Sequence, residues 1–453
     1  MFLLQRFTHA CVVLASRYLP DSFVIVAILT LFVFCVAMFS TQQSALDMMQ
    51  HWGGGAWSLL GFSMQMALVL VLGQALASAK IIAKFLKYLA SLPKTYLSAI
   101  VLVTLLGLVA NWINWGFGLV ISAIFAKEIA KSVRGVDYRL LIASAYSGFV
   151  IWHGGLSGSI PLTLANGGET LVKTTAGVVT EAIPVSMTIF SSYNLIICAI
   201  ILVCLPLILT FIHPPKQEVI EIDKKLLEDK EEVEVISHKN EHTFAEYLDR
   251  HALISMLIGA FGITYIILYF AKGGTLNLNI VNTIFLFAGI LLHRTPIAYI
   301  KAINRATRSA AGILLQFPFY AGIMGMMMGV SSSGESFAGL LSSMFAKIAT
   351  PETFPLLTFL SAGIVNIFVP SGGGQWAVQA PIMMPAGQAL GVDPSVVAMA
   401  IAWGDAWTNM IQPFWALPAL AIAGLGAKDI MGYCVVTLIF VGVVVCGGFY
   451  LLT

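Results

Sequence analysis

The chain has 453 residues, 58% of them hydrophobic and only 10% charged, with a formal net charge of +2. Soluble domains carry roughly 25% charged residues, so the composition excludes a water-soluble globular protein, and the near-neutral balance leaves no electrostatic footprint for nucleic acid. Uncharged apolar windows at 23–39, 59–79, 195–212 and 431–452, near the ~20 residues a bilayer crossing needs, instead make this an all-α polytopic membrane protein embedded in lipid; an outer-membrane barrel would alternate in short segments.

Residues 1–19 read as an interfacial amphipathic helix, with Arg6, His9 and Arg17 spread along it and no small-residue cleavage site. A first repeat covers 20–212. It contains spans at 22–39 and 56–79, then an amphipathic segment at 80–93 carrying Lys80, Lys84 and Lys87 at helical spacing. A hairpin at 95–134 follows, interrupted by Asn111-Trp-Ile-Asn-Trp-Gly-Phe-Gly118. Next come an apolar stretch at 138–165, broken near Gly148 and His153, and a span at 195–212. Residues 213–250 form the one hydrophilic stretch, with mixed charges such as Asp229-Lys-Glu-Glu232, and read as a cytoplasmic linker between halves.

A connecting span at 251–271 leads to a second repeat at 276–453. Its segments are 278–292, 310–328, an amphipathic 337–349, a hairpin at 352–390, a broken helix at 394–425, and a last span at 431–452. The second hairpin is interrupted by Asn366-Ile-Phe-Val-Pro-Ser-Gly-Gly-Gly374. Gly116 and Gly372, Gly135 and Gly391, and Gly148 and Gly404 are each 256 positions apart. Asp137 and Asp393, closing the matching Gly-Val-Asp turns, are natural N-caps, and Pro394 suits a first helical turn.

Basic residues set the orientation. Lys80, Lys84, Lys87 and Lys94 precede the first interruption, and Lys127, Lys131, Arg134 and Arg139 follow it. With both flanks cytoplasmic, the segment between enters and returns. The corresponding flanks at 350–355 and 383–395 hold no Lys or Arg, and Lys347 is the only basic residue nearby, so the second hairpin enters from outside. Arg294, Lys301, Arg305 and Arg308 mark a further cytoplasmic loop. The expected architecture is an inverted-repeat transporter with nine crossings, two re-entrant hairpins and two broken helices, with a cytoplasmic N-terminus.

Irregular backbone at membrane depth must face protein or a cavity, and paired interruptions point to the binding site. Gly116, Gly118, Gly372, Gly373 and Gly374 open new helices whose free N–H groups favour an anion without a formal positive charge. Asn111, Asn114, Asn366 and Ser371 add amide and hydroxyl partners. Close helix packing is the competing role for these glycines. No Lys or Arg lies in either tip or at either break, which suits a small monocarboxylate better than a phosphate.

Asp405 is the only acid deep inside an apolar segment and is a coupling candidate, with Asn366 and Asn111. A sodium ion near Asn366 and Asp405 is the metal such a role admits; no other cofactor is expected. His153, 256 positions before Asn409, is a candidate proton relay or substrate donor. Thr408, Asn409 and Gln412 are polar neighbours. Seven of the nine tryptophans, Trp376 among them, lie in the repeated motifs and are candidate walls for an acyl tail. The six cysteines have no metal spacing and are expected as free thiols. There is no Walker motif and no His-Glu-x-x-His, and Gly155-Leu-Ser-Gly-Ser159 is not the serine-hydrolase elbow.

The run Val369-Pro-Ser-Gly-Gly-Gly-Gln-Trp-Ala-Val-Gln-Ala-Pro381, with Trp403-Gly-Asp-Ala-Trp-Thr-Asn-Met-Ile-Gln-Pro413, closely resembles the bacterial short-chain fatty acid transporter family (AtoE type). The resemblance extends over the whole chain. It implies uptake of acids such as butyrate or acetoacetate, and membership of the ion transporter superfamily, with its paired hairpins, frequent homodimers and elevator-like movement. The expectation is a cation-coupled symporter for short-chain monocarboxylates. A cation/proton antiporter, or a carrier of other small carboxylates, is the alternative on the same fold, and a membrane-embedded enzyme is a distant third.

Overall fold

The computed structural model describes residues 22–222, 243–369 and 371–453. The amphipathic segment expected at 1–19 lies outside these residues, as does most of the charged linker. The described chain is helical, with one isolated β-bridge between Val330 and Ser336. The first half contains α1 (Ser22–Thr41), α2 (Ala45–Gly55), α3 (Leu60–Ala77), α4 (Lys80–Ala90), α5 (Tyr96–Ile113), α6 (Trp115–Ser132), α7 (Tyr138–Ser147), a 3₁₀ segment Gly148–Gly154, α8 (Ser159–Asn166), α9 (Gly168–Thr174) and α10 (Ser192–Phe211). After α11 (Phe244–Arg250) and the lone α12 (Ala252–Ala271), the second half runs α13 (Leu278–His293), α14 (Pro296–Thr307), α15 (Ala311–Met328), α16 (Phe337–Ile348), α17 (Phe354–Phe368) and α18 (Gly372–Ala389). It ends with α19 (Pro394–Thr408), a 3₁₀ turn Asn409–Ile411, α20 (Pro413–Ala423) and α21 (Ala427–Leu452).

The order of elements repeats. Helices α1 to α8 and then α10 correspond one by one to α13 to α20 and then α21, with α9 as an addition. Packing repeats with it: α2 lies on α15 and α14 on α3, α3 on α6 and α15 on α18, α20 on α6 and α8 on α18. Helix α2, absent from the sequence-based expectation, starts with a capping box between Ser44 and Asp47.

Eight described helical stretches are long and apolar enough to cross a membrane. They differ from the nine crossings expected. Tyr96–Ile113, an arm of the first hairpin, qualifies. Leu278–His293 is only 16 residues long, and α19 ends at Thr408 because the chain breaks there.

The expected helix starts are made by the residues predicted for them. Asp137 Oδ1 accepts from Leu140 N at 2.9 Å, and Asp393 Oδ1 from Ser395 N at 2.7 Å, with Pro394 in the first turn. Gly135 and Gly391 both adopt φ +74°, the left-handed conformation that both turns require. At the tips the repeat is not strictly 256. One residue, Asn114, separates α5 from α6, whereas three (369–371) separate α17 from α18. Gly116 is therefore the second residue of its helix and Gly372 the first.

Candidate functional site

Gly148 and Gly404 are packing residues. A methyl group at Gly148 would strike the backbone of Gly107, and one at Gly404 would lie 2.9 Å from the amide nitrogen of Gly363. Gly107 and Gly363 are again 256 apart, so one backbone-to-backbone crossing is built twice. Each crossing fixes a hairpin arm against a broken helix just before its break.

His153 and Asp405 meet at the breaks. His153 Nδ1 lies 3.0 Å from Asp405 Oδ2, and both side chains are fully buried. The other ring nitrogen, Nε2, accepts from Ile160 N at 3.2 Å and from the Ser159 hydroxyl at 2.8 Å. Since a backbone N–H can only donate, Nε2 is bare, and Nδ1 carries the proton given to Asp405. Asp405 Oδ1 makes no hydrogen bond, and the Asn409 carboxamide lies beside it.

Asn366, near the end of α17, joins this group. Its Nδ2 lies 2.8 Å from Asp405 O, 2.9 Å from Thr408 Oγ1 and 2.9 Å from Asn409 Oδ1. Thr408 donates to Gly363 O at 2.9 Å, and Gln412 Nε2 to Asn366 O at 3.0 Å. The oxygens Asp405 Oδ1, Asn366 Oδ1 and Gln412 Oε1 are buried and take no donor. Carboxylate and carboxamide oxygens are the donor set a sodium ion accepts. No cluster of three or more His, Cys, Asp or Glu suited to a metal occurs among the described residues.

Both tips converge on the 3₁₀ segment Gly148–Gly154. Ser371 caps α18 through Gly374 N at 3.3 Å. A Cβ built on Gly372 would lie 2.6 Å from His153 Cε1, 2.7 Å from Ser159 Oγ and 2.9 Å from Trp152. Gly373 faces Phe62 and Phe317, and Gly374 faces Tyr320. The first tip presents Trp115, 5.7 Å from Trp152 and 5.3 Å from Trp415 between ring centroids, and Trp115 N donates to Ser157 Oγ at 3.0 Å. Phe149 stacks on Trp152 at 5.6 Å and completes an aromatic cluster between the tips.

The structure divides the predicted residues. His153, Asp405, Asn366, Thr408, Asn409 and Gly372 come together, with Ser371 at the adjoining helix start. Asn111 and Asn114 belong to the other tip. Asn111 Nδ2 donates to Gly107 O at 2.8 Å, and Asn114 Oδ1 caps α6 at Phe117 N at 2.9 Å. Gly116 lies against α3 at Leu70, and Gly118 against Asn111. Trp376 stands apart, buried in a separate apolar cluster and donating to Thr174 Oγ1 at 2.9 Å. Trp403 and Trp407 are likewise tied, to Asn194 Oδ1 and Leu438 O. Trp112 lies against Phe190, and Trp115, Trp152 and Trp415 are the tryptophans that the tips and the first break bring together. Ser157 and Ser159, not singled out from sequence beyond their failure to form a hydrolase elbow, touch the first tip and His153 respectively. Their signal was a Ser-Gly-Ser run inside a broken helix.

A cavity of about 120 Å³ lies on one side of this group, lined by Phe62, Gln65, Thr163, Asn166 and Thr170 among others. Phe62 is the ring that faces Gly373, and the Thr163 hydroxyl donates to Ser159 O at 2.7 Å.

Comparisons with known proteins bear on the family and the fold. The sequence profile described as "Short chain fatty acid transporter" matches residues 3–452. A candidate short-chain fatty acid transporter of Escherichia coli (strain K12) is 47% identical over 430 residues, covering 95% of each chain. Another from Haemophilus influenzae (strain ATCC 51907 / DSM 11121 / KW20 / Rd) is 45% identical over 456 residues, covering 99% of this chain and 100% of its own. In fold, the chain is similar to the Alcanivorax borkumensis YdaH transporter, whose topology is described as unusual. The TM-score is 0.59 at 16% identity, over 96% of this chain and 97% of that one. It is also similar to Neisseria gonorrhoeae MtrF, of a class of antimetabolite efflux pumps, with TM-score 0.54 at 18% identity and 97% of both chains.

Proposed function

This chain belongs to the short-chain fatty acid transporter family, and from that premise we propose that it takes up small monocarboxylates of the butyrate or acetoacetate kind, driven by a proton or sodium gradient. It is a transport protein rather than an enzyme, as its relatives are.

The observation that carries the substrate reading is the junction of Gly372 with His153 and Ser159. The amino end of α18 offers neutral backbone N–H donors to a carboxylate, and no basic side chain adds a second charge. One negative charge suits such a site, and the adjoining rings Trp115, Trp152 and Trp415 suit a short acyl chain. The neighbouring cavity of about 120 Å³ is well below the ~300–1,000 Å³ of pockets for drug-sized ligands. Space at Gly372 is too tight for even a methyl group. Admission of the carboxylate there requires the second tip to part from the break, which alternating access would supply.

Coupling is assigned to Asp405, with Asn366 holding its backbone and His153 its carboxylate. A proton would sit on Asp405; a sodium ion would take Asp405 Oδ1 and Asn366 Oδ1. Asn111, the other predicted coupling residue, would act only through the first tip. The antiporter alternative calls for more than one titrating acid inside. Asp137 and Asp405 are the buried acids among the described residues, and Asp137 is held by Arg139 at 3.1 Å. The remaining parts of the reading are re-entrant hairpins entering from opposite faces, an inverted repeat, an elevator-like motion, a homodimer, and an inner-membrane location with the N-terminus in the cytoplasm. They rest on the Lys and Arg distribution and the family resemblance.

Proteoliposome uptake tests the proposal. Labelled butyrate or acetoacetate should accumulate under an imposed proton or sodium gradient, and only one of the two ions should drive it. Absence of accumulation under both gradients would refute the reading.

A further inference from the structure

A second cavity, lined by no residue of either hairpin tip, has a volume of about 480 Å³. Ser78, Lys80, Ile81 and Lys84 line it from the start of α4. His293, Arg294 and Thr295 line it from the α13–α14 turn, and Ala298, Lys301 and Arg305 from α14. Five cationic side chains therefore face one space, and no carboxylate lines it. None of the five takes part in an ion pair among the described residues; the Glu246 carboxylate near α14 is bound instead to Arg250 at 2.7 Å. His293 is spent on Ala75 O at 2.8 Å.

The backbone adds to the positive potential. Helices α4 and α14 both begin at this cavity, and neither amino end is capped by a side chain. Neither has an acid in its first turn. Lys80 and Lys84 crowd the positive end of the α4 dipole, where cations are unfavourable and an anion is favourable. Arg294 is held at φ +66°, an uncommon backbone for a residue with a long side chain. Like charges gathered at uncapped helix ends favour a bound anion.

We propose that this cavity is a binding site for the headgroup of an anionic phospholipid, whose phosphate lies among Lys80, Lys84, Arg294, Lys301 and Arg305 and at the amino ends of α4 and α14. The membrane is the favoured source of the phosphate because the cavity opens beside apolar surface. Ile81 lines it and is exposed, and Phe85 and Tyr88 continue the exposed apolar side of α4. Acyl chains would lie there, while the basic groups sit on the face that the charge distribution makes cytoplasmic. The site joins α4 of the first half to α13 and α14 of the second, so a bound lipid bridges the two halves.

Native mass spectrometry of delipidated protein, titrated with phosphatidylglycerol or phosphatidylcholine, tests the proposal. Phosphatidylglycerol should be retained at least tenfold more strongly, at about fivefold per participating cation. The K80Q/K84Q/K301Q/R305Q variant should lose that preference, and K127Q/R134Q, on a different cytoplasmic turn, should keep it. Equal retention of the two lipids, or an unchanged preference in the quadruple variant, overturns the proposal. So does displacement of phosphatidylglycerol by equimolar inorganic phosphate, which would make this a site for the free ion. If the quadruple variant does not fold, K301Q and R305Q singly should each weaken retention by about threefold or more, and no effect from either is again fatal. Uptake of butyrate is not the readout, so the result is independent of the substrate reading.

Discussion

His153 Nδ1 and Asp405 Oδ2 are 3.0 Å apart although 252 residues separate them in sequence. The contact joins the two broken helices at their breaks, and both side chains are fully buried. A movement that separated these helices would leave a carboxylate alone in an apolar interior, which is costly.

Asp405→Asn isolates charge from shape. The asparagine oxygen can still accept from His153 Nδ1, so the fold should persist with a melting temperature within a few degrees of the parent. Gradient-driven accumulation of labelled butyrate should be lost, while substrate exchange across the membrane continues. Unchanged gradient dependence in proteoliposomes would remove Asp405 from coupling.

His153→Ala should be far more harmful than His153→Gln. Alanine strands Asp405 without its partner, at a cost of about 3–5 kcal/mol for a broken buried pair. Glutamine can still donate to the carboxylate. Thermal unfolding in detergent should rank the parent first, His153→Gln second and His153→Ala last. Introducing Asp405→Asn into His153→Ala should restore part of the loss, because a neutral carboxamide is cheaper to leave unpaired. An additive double variant would contradict the coupling of the two groups.

The two tip asparagines should behave unequally. Asn366 Nδ2 shares its two hydrogens among three acceptors around Asp405, whereas Asn111 Nδ2 serves one carbonyl on its own helix. At about 1 kcal/mol per net hydrogen bond, Asn366→Ala should cost about 2–3 kcal/mol and change the ion dependence of uptake. Asn111→Ala should cost about 1 kcal/mol and leave the ion dependence unchanged. Stability and ion titrations of the two variants check both halves of the statement.

The duplication was legible because its punctuation is chemical. Gly-Val-Asp demands a left-handed turn followed by a cap, and both turns form as the residues require. The pairing of His153 with Asp405 was not legible, since no spacing rule connects residues on different helices. The tips show a related limit. Counting glycines aligned Gly116 with Gly372, but the extra residues around Ser371 shift the second helix start, so that only Gly372 reaches His153. Trp376 was misplaced for a similar reason: proximity in sequence to the tip put it among pocket candidates, while the helical turn carried it to Thr174. Short stretches such as α2 and α9 escaped because neither is long or apolar enough to stand out.

Glycine substitutions separate packing from backbone strain. Gly148→Ala forces a methyl group into the backbone of Gly107, and Gly404→Ala does the same at Phe359 and Gly363. Each should cost about 1–3 kcal/mol by overpacking, with the broken helix displaced from its hairpin arm. Gly135→Ala and Gly391→Ala meet no atom within 4 Å, yet both positions sit at φ +74°, so strain alone should cost about 1–2 kcal/mol. Gly54→Ala, in the helical α2 with open space around it, should stabilise by about 0.5–1 kcal/mol. The discriminating readout is transport. The Gly148 and Gly404 variants should lose uptake beyond their loss of folded protein, because they shift His153 and Asp405. The Gly135 and Gly391 variants should lose uptake only in proportion to the folded fraction, and a specific transport defect in either would show that these turns do more than connect.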